Sequence, residues 1–285
     1  MKQAPKGSVI KVGFQGEHGS YSEEAVLRYF GDSAEPLPYK SITSVFVAVE
    51  TGEAGAGVVP VENSIEGSVG ETYDSLLTTS LRVVGEINLR ISHCLIGLPG
   101  AKISELKRVY SHPQALAQCR AYLASLGLEP VSYYDTAAAV RLIKEMGDKS
   151  AAAIASARAA GIYSLEILAS GIEDYGRNYT RFLVIGREPS TRSGRDKTSI
   201  IFTLPHRPGA LYEALGVFAR RSINLTKIES RPTRARPWQY NFYVDFEGHI
   251  DDEVVREAMS ELAQKALFVK VLGSYPAWID KDQVA

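Results

Sequence analysis

The chain is predicted to be α/β and to fold as two domains. Three observations predict this. Strand-like and helix-like segments alternate over roughly the first 185 residues, a rhythm typical of an α/β domain with a mainly parallel sheet. Residues 187–197 then interrupt it, with Pro189, Ser190, Ser193 and Gly194 set among Arg187, Arg192 and Arg195 as in a solvated linker. Beyond the linker the order becomes strand, helix, strand, strand, helix, strand, the βαββαβ pattern of a ferredoxin-like unit.

In chain order, Ile10 to Phe14 reads as a strand and Tyr21 to Phe30 as a helix that Gly31 closes. Gly31 suits that end because glycine accepts backbone angles other residues avoid. A helix over 44–50 leads to the short apolar strand 56–61. A helix over 69–79 precedes strands at 83–89 and 93–97. Residues 103–106 and 114–126 read as helices, with Val109-Tyr110 a short strand between them. Helix 136–146, strand 151–154, helix 156–161 and an apolar strand around Leu183 to Gly186 complete the first domain. In the second domain the strands are 198–204, 226–230, 239–246 and 269–275, and the helices are 210–220 and 252–262. In open α/β sheets, ligands sit beyond the carboxyl ends of the strands.

Bulk properties exclude several classes. The 285 residues suffice for two cores. A net charge of -1 argues against a broad basic surface for nucleic acid or anionic membrane. No signal-peptide core precedes Val9, and no apolar run is long enough to span a membrane. Cys94 and Cys119 are too few and too far apart for a disulfide framework or a zinc site. A cytoplasmic location is expected, which removes meaning from the glycosylation sequon Asn178-Tyr179-Thr180.

Five polar segments stand where strands should end. Asn178-Tyr179-Thr180-Arg181-Phe182 mounts a hydroxyl and a guanidinium at the mouth of a strand, and the guanidinium fork suits a carboxylate. Gly16 to Ala25 offers a tight turn, with Ser20 or Ser22 as helix cap. Val58 to Ser68 ends an apolar strand in Glu62-Asn63-Ser64 and adds a second acid, Glu66. Val109 to Cys119 places Ser111 at a strand end and Gln118 one turn inside the following helix. His112 lacks a dyad partner in sequence, and Asp135 reads most simply as a helix cap. No nucleophile elbow, metal-ligand cluster or cofactor signature is present, so neither cofactor nor metal is expected. The set suits a small anionic substrate and little covalent help.

These segments, in this order, resemble the motifs of the prephenate dehydratase family. They are Gly16 to Ser22, Val59 to Ser68, Ser111 to Cys119 and Asn178 to Phe182. Pro208-Gly209-Ala210-Leu211 and Glu229-Ser230-Arg231-Pro232 are similar to the signatures of that family's ACT regulatory domain. The resemblance implies a two-lobed catalytic domain like the type 2 periplasmic binding proteins over 8–187, a linker over 188–197 and an ACT domain over 198–278. The chain should cross between lobes near Leu89 to Ser92 and return near Arg177. It implies conversion of prephenate to phenylpyruvate on the route to L-phenylalanine, with L-phenylalanine as feedback inhibitor and a homodimer or homotetramer through paired ACT domains. By this analogy Thr180 acts on the leaving hydroxyl, Arg181 binds a carboxylate and Phe182 packs beneath them. Glu62, Asn63, Ser64, Ser111, Gln118 and Ser22 join the candidate site. Asn224 and Leu225 join the regulatory segments as the candidate phenylalanine site. With about nine residues before the first strand, a fused chorismate mutase is not expected. Arogenate dehydratase on the transaminated analogue, and a sensor without catalysis, are the alternative readings.

Overall fold

The computed structural model describes residues 9–233 and 237–279; the polar N-terminal segment 1–8 lies outside the described residues. The chain opens with β1 (Ile10–Gln15), α1 (Tyr21–Phe30), β2 (Ala34–Tyr39) and α2 (Ile42–Thr51). It continues through β3 (Ala56–Asn63), β4 (Gly67–Ser68), α3 (Gly70–Thr78) and β5 (Arg82–Arg90). Next come β6 (Cys94–Gly97), β7 (Arg108–Ser111), α4 (Pro113–Gln118), α5 (Arg120–Ser125) and β8 (Glu129–Ser132). Then follow α6 (Thr136–Met146), β9 (Ala151–Ala155), α7 (Ala157–Tyr163), β10 (Glu166–Ser170) and β11 (Tyr179–Gly186). The last part holds β12 (Asp196–Thr203), α8 (Ala210–Ala219), β13 (Leu225–Pro232), β14 (Tyr240–Glu247), α9 (Glu253–Lys265) and β15 (Phe268–Pro276).

Three sheets result. The first runs β2-β1-β3-β11-β5 with β4 paired onto β3, and the second runs β10-β6-β9-β7-β8. The chain leaves the first sheet after β5 and returns to it with β11, so it crosses at 91–93 and again at 171–178. Ile91 N–H donates to Asn178 O at 2.8 Å and ties the two crossings together. The sheets are mixed rather than mainly parallel. β1 pairs in parallel with β2 and β3, and β7 with β8 and β9, but β6 is antiparallel to both β9 and β10.

Small residues let the second sheet pack closely. All five alanine-rich residues of β9 are buried, and Ala151, Ala153 and Ala155 pack with Ala137, Val140 and Ile143 of α6. Helix α6 starts where Asp135 accepts from Ala138 N–H at 2.9 Å, so Asp135 is the cap its sequence suggested. It stops at Gly147, whose φ of 64° is the left-handed cap glycine provides cheaply.

The third sheet, β13-β14-β12-β15, is antiparallel throughout and carries the expected βαββαβ order. Phe202, Phe218, Phe246, Leu262 and their neighbours form its core. By compactness the described residues divide into one unit of 9–73 with 87–182 and another of 74–86 with 183–279. In the latter, Lys270 Nζ donates to the carbonyls of Leu76, Leu77 and Thr79 at 2.9, 3.0 and 2.6 Å, capping the end of α3 with a cation.

Candidate active site

Asn63 ends β3, and a tight turn follows it. Its Oδ1 accepts from the backbone N–H groups of Ile65 and Glu66, each at 3.0 Å, the side-chain turn that asparagine forms readily. Backbone N–H groups only donate, so these two bonds fix which end of the Asn63 amide faces them. Its Nδ2 therefore points to β11. There it donates to Asn178 Oδ1 at 2.8 Å, Thr180 Oγ1 at 3.0 Å and Tyr179 O at 3.2 Å.

Direction then propagates. An amide nitrogen cannot accept, so Thr180 Oγ1 is the acceptor from Asn63 and its own proton stays available to donate outward. Asn178 is fully buried; its Oδ1 is taken by Asn63, so its Nδ2 donates to Gln118 Oε1 at 2.8 Å. Ser64 stitches the same strands: its N–H donates to Tyr179 O, its Oγ donates to Arg177 O, and its Oγ accepts from Tyr179 N–H at 2.9 Å. Asn63, Ser64, Gln118 and Thr180 are thus brought together from β3, α4 and β11, as grouped in the sequence.

The other candidates divide. Glu62 and Arg181 are half-buried beside Asn63 and Thr180, and Phe182 is buried at 2% exposure in β11. Ser22 is buried in the first turn of α1 but is not part of this network; its neighbour Tyr21 connects to it instead. Ser111 stands apart from this network: its side chain is fully buried and Oγ donates to Ile154 O at 2.6 Å, so the hydroxyl bonds β7 to β9. His112 caps α4, its Nδ1 accepting from Gln114 N–H at 3.3 Å. Three further members escaped the sequence reading as individual residues. Asn178 and Tyr21 stood in quoted motifs but were not singled out, whereas His93 joins only through space, 72 residues from Tyr21.

Around the site the electrostatics are settled by pairing. Ser20 is the observed cap of α1. Glu23 is buried, which by itself would raise its carboxyl. Hydrogen bonds from His18 and from Arg158 at 2.9 Å, with Gly19 N–H at 2.8 Å, outweigh this and hold it below the usual range. Gly19 admits that packing: a Cβ there would lie 2.9 Å from Ala159 Cα. The Cys119 thiol beside Gln118 is pushed up by burial and stays protonated, so it offers no thiolate. Neither Thr180 nor Ser64 has a basic side chain as hydrogen-bond partner among the described residues, so neither is an activated nucleophile.

In the other unit, a cavity of about 120 Å³ opens at the start of α8, lined by Leu204, Arg207, Ala210, Leu211, Tyr240 and Phe242 among others. Gly209 caps α8 at φ 79°, and Arg207 holds Glu213 at 2.6 Å. Pro208 lies on the loop between them and is exposed. Asn224, Leu225 and Glu229-Ser230-Arg231-Pro232 do not line this cavity within one chain. β13 is the outer strand of the sheet, separated from β12 by β14, and Arg231 reaches Asp74 at 3.3 Å.

Residues 12–190 match the family model for prephenate dehydratase and residues 198–264 that for the ACT domain. The chain is 44% identical over 285 residues to arogenate dehydratase/prephenate dehydratase 1, chloroplastic, of Arabidopsis thaliana, covering 94% of this chain and 72% of that protein. It is 46% identical over 269 residues to the bifunctional chorismate mutase/prephenate dehydratase of Aquifex aeolicus, covering 94% and 74%. A prephenate dehydratase from Arthrobacter aurescens in complex with L-Phe matches with a TM-score of 0.86 at 34% identity, covering 94% and 90%. A structure titled GqqA, a novel type of quorum quenching acylase, matches at 0.87 and 35% identity, covering 94% and 98%. With over half its length matched by the family model and with relatives above 40% identity along nearly all of it, the chain belongs to the prephenate dehydratase family and carries a C-terminal ACT domain.

Proposed function

We propose that this enzyme dehydrates and decarboxylates prephenate to phenylpyruvate. The single observation that carries the reading is the bond from Asn63 Nδ2 to Thr180 Oγ1, which leaves the threonine proton to be donated. In the reaction the bond to the departing carboxylate breaks and its electron pair enters the ring. The ring expels the C4 oxygen, which gains a proton and leaves as water beside carbon dioxide. Aromatisation supplies the driving force, so the protein's task is alignment and stabilisation of the departing oxygen. A threonine hydroxyl is a poor acid near neutral pH. Thr180 therefore acts as an oriented donor to the leaving oxygen, relaying a proton from solvent, while Arg181 holds a carboxylate of the substrate.

The residues 8–187 form the catalytic part, 188–197 the linker and 198–278 the regulatory part in this reading. L-phenylalanine binds at the start of α8, with the β13 segment Glu229 to Pro232 completing the site from a paired ACT domain in a homodimer or homotetramer. The relative solved with L-Phe supports this. A cytoplasmic location fits the same picture, and no helix among the described residues is long and apolar enough to cross a membrane.

Turnover of Thr180→Ala tests the central claim: kcat falls more than KM rises, and near-normal kcat overturns it. The plant relatives named for arogenate keep a second substrate in view, so prephenate and arogenate are compared side by side, with and without L-phenylalanine. Faster arogenate turnover would keep the site and change the product to L-phenylalanine itself.

A further inference from the structure

His93 lies on the first crossing between the two sheets and is 2% exposed. Its two ring nitrogens meet different partners. Nε2 lies 2.9 Å from Gln118 Oε1, and Nδ1 lies 2.9 Å from the Tyr21 hydroxyl. The hydrogen-bond directions established at Asn63 determine what this ring does. Gln118 Oε1 already accepts from Asn178 and, as a carbonyl oxygen, can only accept again. His93 must therefore donate from Nε2. Burial lowers the basicity of the ring, so it is neutral with Nδ1 left as acceptor. Burial likewise holds the Tyr21 phenol protonated, and its single proton lies between Nδ1 and Ser92 O at 2.8 Å.

We infer that His93 is a positioning residue for the dehydratase reaction: its Nε2–H and the Asn178 amide together clamp Gln118 Oε1, which turns the Gln118 NH₂ group away from them as a second oriented donor beside the Thr180 hydroxyl. Gln118 is 6% exposed, and its Nε2 has no partner among the described residues. Without His93 the glutamine carbonyl keeps one donor, and rotation about its side chain brings the oxygen to the substrate side. A site built to donate would then present an acceptor. The arrangement spans α1, both crossings and α4, so it sets Gln118 only when all four are in place. This inference rests on the reaction proposed above.

The test has a spectroscopic and a kinetic arm. In protein labelled with ¹⁵N-histidine, two-bond correlation spectra report which ring nitrogen of His93 carries the proton, independent of any substrate. The neutral Nε2–H form is expected; the Nδ1–H tautomer, whose Nε2 cannot donate, overturns the clamp. Steady-state kinetics on prephenate are run for wild type, His93→Phe and His93→Gln. Glutamine can donate to Gln118 and accept from Tyr21, whereas phenylalanine can do neither. His93→Phe should lower kcat about 10- to 100-fold with KM changed less than about threefold, and His93→Gln should recover most of kcat. Equal kcat in wild type and His93→Phe, or equal loss in both variants, refutes the role. If His93→Phe does not fold, the tautomer and the His93→Gln kinetics still decide. Wild type inactive on prephenate but showing the Nε2–H form would retire the reaction and leave the clamp standing.

Discussion

The Asn63→Asp variant tests hydrogen-bond direction in the site while barely changing shape. One carboxylate oxygen still accepts from Ile65 and Glu66, so the turn after β3 keeps both bonds. The other oxygen replaces Nδ2 and meets Asn178 Oδ1 at 2.8 Å and Tyr179 O at 3.2 Å, both acceptors. Only Thr180 can answer it, by turning its proton inward. That removes the donor proposed to serve the departing oxygen. Losing the Asn63 donor also strands the fully buried Asn178 Oδ1, at a cost of about 1–3 kcal/mol of stability. The same free energy spent on the barrier is about a 5- to 150-fold loss of kcat, since each 1.36 kcal/mol is tenfold. Facing two carbonyl oxygens, the introduced carboxyl has its folded pKa raised above the unfolded value of about 3.9. Relative stability is therefore regained as pH falls through that raised pKa, and kcat recovers in part as the protonated group donates again. Urea unfolding and prephenate kinetics across pH 5–8 follow both quantities. A variant with wild-type kcat, or one whose deficit is the same at every pH, would show that direction at Thr180 does not matter.

Two further outcomes are expected. Ser111→Ala removes the buried bond to Ile154 O and should cost about 1–2 kcal/mol in urea unfolding, while kcat stays within about twofold; a large loss of kcat would return Ser111 to the site. Glu23→Gln should destabilise by about 1.5–3 kcal/mol at pH 7, the range for hydrogen bonds to charged groups. Because the folded pKa of Glu23 is depressed, the wild-type advantage is present above the unfolded value of about 4.3 and lost as pH falls through the folded one. A difference that grows toward acid would contradict the pairing.

Much of the architecture was legible because buried strands read as apolar runs: Ala56 to Val61 and Ala151 to Ile154 are central in their sheets, and Val83 to Leu89 is an apolar run although β5 is an outermost strand. The strands missed are β2, β8 and β10, each an outermost strand of its sheet, and the two-residue β4, which pairs only onto β3. β2 contains Pro36 and Pro38 and β8 contains Pro130, residues that read as breakers but are tolerated at edges. Of the site, Asn63, Gln118 and Thr180 carried signals because each stands at or near the end of a regular element. Ser111 stood at such an end too, but its side chain takes the inward face of β7, which position along the strand does not reveal. His93 had no local signal, and Tyr21, though inside the Gly16 to Ser22 motif, was not singled out, since what marks both is a meeting of distant segments.

The site's reliance on amides has a chemical reason. Each amide is an acceptor at one end and a donor at the other, so Asn63, Asn178 and Gln118 pass a direction along without carrying charge. That direction starts at the backbone N–H groups of Ile65 and Glu66, which do not titrate, and it ends in donors. Carboxylates at the same places would only accept, and protonating them to restore donors would tie activity to acid pH. The reaction needs no base strong enough to remove a proton from carbon, because the electrons come from the breaking bond to the carboxylate. What it needs is donors aimed at a departing oxygen and a cation for the remaining charge, and in the mechanism proposed above a neutral amide chain beside Arg181 would supply these without a titrating group to switch them off.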